Sequence, residues 1–151
     1  RLAEGAGLLK SDIVLAADIP HISLKPRSWR PLKTSGSQRD IPLVGASLWA
    51  AQRLSEAFPD SHYAFSRYNR RDTTNSNSAS AALNKWLHQY VPVGCTMHSF
   101  RHSIRDRLRA VECPSDVIDQ IGGWATEGVG QGYGKGHDLQ VCAKWMNFIS
   151  A

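Results

Sequence analysis

The sequence predicts an α+β fold, a mainly helical domain with a small antiparallel β-sheet near its N-terminus. Three observations predict it. Short β-rich runs between residues 13 and 43 are separated by Pro, Ser and Gly, and from residue 46 onward apolar residues recur at helical spacing. A length of 151 residues with 42% apolar content suffices for one core and is too little for two, so residues 1–151 are read as one domain.

Residues 1–9 (RLAEGAGLL) have helical composition with no N-cap residue before them, so the chain is expected to open inside a helix whose first turn is absent. DIVLAADI, HISLK, WRPLK and DIPL then supply the strands, with TSGSQ (34–38) as a hairpin loop. From Ala46 to Phe58, the residues Leu48, Trp49, Ala51, Leu54 and Phe58 mark a helix closed by Pro59. Residues 66–80 (SRYNRRDTTNSNSAS) read as a polar loop, basic at Arg70 and Arg71. Those two arginines are candidate DNA contacts, with a mobile surface loop as the plainer reading. Ser78 is placed to cap a helix running through Leu83, Leu87 and Tyr90. DLQVCAKWMNFIS (138–150) reads as a closing helix that packs in cis or docks on a neighbouring protomer.

Between these lies HSFRHSIRDRLRAV (98–111). At about 100° per residue, Phe100, Ile104, Leu108 and Val111 fall in one stripe roughly 80° wide, the expected core face. His98, Arg101 and Arg105 share a neighbouring stripe, as a site that grips phosphate requires. A solvated basic face is the bland alternative. Zinc is a rival because Cys95, His98 and His102 have ligand-like spacing, but a helix starts between the first two and no fourth ligand is near. No metal and no cofactor are expected.

Eighteen Lys and Arg against thirteen acids give a net charge of +5 and a pI near 9.4, a balance that suits a polyanion such as double-stranded DNA. No apolar run is long enough to cross a membrane and no signal peptide stands at residues 1–15. Three scattered cysteines, Cys95, Cys113 and Cys142, argue for reduced thiols. A cytoplasmic protein without a membrane partner is expected.

HSFRH, followed by IGGW and then by Tyr133 nine positions after Trp124, resembles the catalytic end of the tyrosine recombinase (phage integrase) family. That family carries His-x-x-Arg on a helix, then a His or Trp, then a tyrosine nucleophile nine residues later. Arg1, Glu4, Leu8, Asp12 and Ile13 are similar to its opening pattern R-x-x-E-x-x-x-L-x-x-x-D-I, and LKTSGSQRDIPL resembles its lysine-bearing hairpin. The resemblance covers nearly the whole chain. It departs in having Gly-Gly-Trp where most members have Leu-Gly-His, and in lacking the helices and DNA-clamping domain expected before Arg1.

The resemblance implies that Arg1 and Arg101 clamp the scissile phosphate, where attack at phosphorus builds negative charge. Glu4 orients Arg1, and Lys33 protonates the leaving 5′ oxygen. His98 either assists proton transfer from the tyrosine or hydrogen-bonds the phosphate, and His102 has a supporting structural place. Trp124 donates its indole N–H but exchanges no proton. Arg105 adds a candidate DNA contact. Tyr133 forms a 3′-phosphotyrosine, which stores the phosphoryl bond so that strands rejoin without metal. IGGWATEGVGQGYGKG (121–136) holds seven of the twelve glycines, as a movable nucleophile would use; tight turns and a phosphate-cradling loop are the alternatives. The expected function is site-specific recombination or integration for a phage or mobile element, with a tetrameric synapse on DNA at the nucleoid. A type IB topoisomerase-like strand transferase and a catalytically inactive DNA-binding prophage remnant are the rivals.

Overall fold

The computed structural model describes residues 1–33, 37–57, 60–70, 72–124 and 136–150. The fold is α+β. It begins with a single-turn helix, α1 (Leu2–Ala6), too short to hold itself. Its C-terminal carbonyls find side-chain donors instead: Arg30 donates to Glu4 O at 3.1 Å, Asn69 to Ala6 O at 2.7 Å and Trp29 Nε1 to Gly7 O at 3.2 Å. The 3-10 turn Lys10–Asp12 follows, where Asp12 accepts the Leu9 N–H and pairs with Arg27 at 2.7 Å and Arg30 at 3.1 Å. Arg30 is 2% exposed, so this ion pair is sealed from water.

Strands β1 (Ile13–Val14), β2 (His21–Leu24) and β3 (Arg39–Pro42) form an antiparallel sheet in the order β1-β2-β3. Its register pairs Ile13 with Ile22 and Ile22 with Ile41, a row of branched side chains that fixes one face. WRPLK, expected as a strand, is none. Arg27 and Arg30 exchange both backbone hydrogen bonds in a tight turn, the Arg30 side chain is drawn inward to Asp12, and Pro31 has no N–H to give a ladder. The β2–β3 connection therefore spans 25–38 rather than the expected loop 34–38, and residues 34–36 lie outside the described residues.

Helix α2 (Gly45–Ala57) begins one residue before its expected start, and Phe58 and Pro59 lie outside the described residues. The expected loop 66–80 is more ordered than its polarity implied. It forms a 3-10 turn (Ser66–Tyr68) and a two-stranded hairpin of β4 (Asn69–Arg70) and β5 (Thr73–Thr74), knit by a 2.6 Å bond from Thr74 Oγ1 to Asn69 Oδ1. Helix α3 (Ser76–Leu87) is capped by Asn75, whose side chain accepts the Ser78 N–H at 2.9 Å. Ser78 is thus the third helical residue rather than the cap.

Helix α4 (Ser99–Ala110) packs on α5 (Ser115–Gly122), a helix the sequence reading passed over, and α6 (Leu139–Phe148) crosses β3 and α5. Their shared core is built on Leu108, Val117, Ile118, Ile121, Cys142 and Met146. A smaller cluster of Leu8, Leu24 and Ala64 lies under the sheet. Leu108 is fully buried, whereas Phe100, expected in the same core stripe, is 57% exposed. The first turn of α4 projects past the core, and Phe100 there lines two cavities, of about 750 and 330 Å³. Among the described residues no helix is long and apolar enough to cross a membrane.

Candidate functional site

Helix α5 ends in a way that gathers charge. Gly123 takes the left-handed conformation (φ 61°) that closes the helix, and its Trp124 N–H reaches back to Asp119 O at 3.0 Å. Two carbonyls at this negative helix end, Ile121 O and Gly122 O, accept from Arg39 Nε at 2.9 Å and from Arg101 Nη1 at 2.8 Å. Both glycines of GGW are required by close approach. A side chain at Gly122 would collide with the Trp124 ring, and one at Gly123 would come within 2.5 Å of the Arg39 guanidinium.

Around this end the cations meet. Arg1 donates to Glu4 at 2.8 Å and to the Ser37 hydroxyl at 3.0 Å, while Arg39 reaches the other Glu4 oxygen at 3.2 Å and Ser37 O at 2.6 Å. Buried Glu4 therefore joins α1 to β3. Burial pushes its carboxyl up, and the neighbouring Arg39 and Arg1 guanidinium groups pull it down. Arg101 stacks over the Trp124 ring at 4.3 Å, and Arg105 lies over the same ring at 5.0 Å while pairing with Asp119 at 3.5 Å.

Four guanidinium groups thus face two carboxylates. Burial pulls Arg101 below its ordinary value, and the Arg1, Arg39 and Arg105 charges pull the same way against Glu4. An oxyanion placed here would relieve that repulsion and take up the guanidinium donors left over.

No family model matches the chain, and no curated protein or solved structure matches it.

Arg1, His98, Arg101 and Trp124, drawn from α1, the start of α4 and the end of α5, line one cavity of about 750 Å³ together with Arg39 of β3. His98, exposed at the start of α4, has its ring edge-on to His102 at 5.1 Å, so His102 braces His98 rather than reaching Arg101. Lys33 is exposed and stands outside the cavity wall, as does Arg70 on β4. Tyr133, with Gly130, Gly132 and Gly134, and Arg71 lie outside the described residues. Among the described residues no three His, Cys, Asp or Glu side chains group as a metal site would need.

The residue that sequence reading left out of the site is Arg39. Its signal was present: in RDIPL it shares the period-2 face of Ile41, and a charge on the inward face of a strand needs a buried partner. Beyond the site, the chain is clamped again at His137. Its N–H and C=O exchange bonds with the Gln120 amide at 2.7 and 2.8 Å, and its ring meets Asp116 at 2.7 Å. Trp124 and His137 are thus both held on α5.

Proposed function

We propose that the chain is the catalytic domain of a tyrosine recombinase that cleaves and rejoins double-stranded DNA through a 3′-phosphotyrosine intermediate. The observation that carries this reading is the meeting of Arg1, His98, Arg101 and Trp124 around one cavity, with Glu4 beneath Arg1. The spacing of the motifs selects these residues from distant parts of the chain, and a random set of surface residues would not share a wall.

In this reading Arg1 and Arg101 hold the non-bridging oxygens of the scissile phosphate, and Arg39 keeps Glu4 and the end of α5 in place beneath them. Trp124 holds the Arg101 guanidinium in position against its ring face. The Tyr133 hydroxyl passes its proton to His98 as its oxygen attacks phosphorus, the bond to the 5′ oxygen breaks, and Lys33 supplies the proton that oxygen needs. Reversal by a 5′-hydroxyl restores the strand and frees the tyrosine. Assembly on DNA as a tetramer, and a place at the nucleoid, belong to the same reading.

The test is incubation with a nicked duplex target, which traps the covalent step, followed by a search for a DNA adduct that survives denaturant. The adduct is expected with Tyr133 and lost in Tyr133→Phe. DNA binding without any adduct would instead leave a binding module, the reading that the place of Lys33 outside the cavity wall favours.

A further inference from the structure

The 750 Å³ cavity is larger than a phosphate requires, and its lining combines charged with apolar side chains. Arg1, Arg39, Arg101 and His98 come from α1, β3 and the start of α4, and the three arginines are tied together through Glu4 and the end of α5. Much of the remaining lining is apolar, with Phe65 and Tyr68 from the turn before β4, Leu83 from α3 and Phe100 and Ile104 from α4, among which Ser80, Asn84 and Thr96 are the polar members. Pockets of roughly 300–1,000 Å³ with apolar walls and a few converging polar groups are those that take organic ligands.

Gly5 adds an independent observation. It sits inside α1 and lines the cavity, and among the described residues a side chain there would meet nothing within 4 Å. A glycine within a helix weakens it relative to alanine, and no close approach and no left-handed backbone accounts for this one. What it leaves is room in the cavity.

We propose that this cavity binds a small amphipathic organic anion, a flat or branched apolar body carrying one sulfonate, phosphate or carboxylate head. The head lies on Arg101 with Arg1 and Arg39, and the body lies against Leu83, Phe65 and Phe100. Removal of the apolar body from water adds to the charge pairing, so neither half of such a ligand binds as well alone. This site goes beyond strand transfer and depends on no step of it.

The experiment titrates 8-anilinonaphthalene-1-sulfonate into the folded chain and its uncharged relative N-phenyl-1-naphthylamine into a parallel sample. The sulfonate is expected to saturate at one molecule per chain, and the uncharged probe to bind at least about tenfold more weakly. Gly5→Phe fills the cavity and is expected to weaken the sulfonate about tenfold or more while the melting temperature holds or rises. If the phenylalanine lowers the melting temperature, the smaller Gly5→Leu is read in the same way. Arg101→Ala is expected to weaken the sulfonate and leave the uncharged probe unchanged. Equal binding of the two probes, unsaturated binding, or unchanged sulfonate affinity in a folded cavity-filled variant overturns the proposal. Adduct formation on DNA is scored apart, so its absence with sulfonate binding intact removes only the strand-transfer reading.

Discussion

Two arginine clusters in this molecule are built from the same groups and end in opposite states. Around Asp12, Arg30 has its Nη donors on Asp12, Lys25 O and Glu4 O, with only its Nε left without a partner. Arg27 covers the other Asp12 oxygen. Around Glu4, by contrast, Arg101 gives one Nη1 bond to Gly122 O, and the cavity lies beside it. The first cluster is packed around Asp12 and serves the fold, with Arg27 Nε and Arg30 Nε its donors without a partner; the second keeps donors beside a cavity. The difference teaches that an arginine is read by what its guanidinium has left to give, since burial lowers the pKa of both Arg30 and Arg101.

Substitutions should separate the clusters, beginning with the largest effect. Asp12→Ala leaves Arg30 buried and unpaired, and we expect a loss of about 3–5 kcal/mol of stability in denaturant unfolding. Arg101→Ala should cost only about 1 kcal/mol, one partly exposed hydrogen bond. Its effect falls on function: adduct formation should drop by about 10²–10³-fold with the fold intact. A fall in stability as large as that of Asp12→Ala would place Arg101 with the Asp12 cluster.

Arg39 is intermediate, because it braces the Glu4 cluster while being buried itself. Arg39→Met takes one partner from Glu4, which keeps its bond from Arg1, and leaves Ile121 O without its side-chain donor, so a loss of about 1–3 kcal/mol is expected, with weaker anion binding as a secondary effect.

The smallest effect concerns the thiols. Burial pushes Cys113 up to about 11, with Cys142 and Asp116 adding to it, and burial raises Cys142 as well. Half-exposed Cys95 should therefore take up iodoacetamide first, and mass spectrometry should find the other two modified only after unfolding.

Much of the fold was legible because its signals are local and periodic. Leu108, Ile104 and Val111 recur at helical spacing, and Ile22 and Ile41 alternate with polar neighbours. The misses have physical reasons. WRPLK has strand composition, but Arg30 answers to Asp12, eighteen residues away. Asn75 and Ser78 are both good cap residues, and only the backbone decides between them. Helix α5 has just Val117, Ile118 and Ile121 to announce it before the glycines. In the site, Arg1, Arg101 and Trp124 were legible through motif spacing, whereas the joint made by Arg39, Ser37 and Glu4 depends on contacts across 35 and 36 residues.

The clamp at His137 has a consequence of a mechanical kind. Helix α6 is attached to the body twice over without its peptide connection, once through Cys142 and Met146 in the core and once through Gln120 and Asp116. A backbone cut between residues 125 and 135 should therefore yield two fragments that stay associated and co-elute until denatured. Residues 1–124 and 136–150 expressed separately should reassemble into one particle through these two sets of contacts.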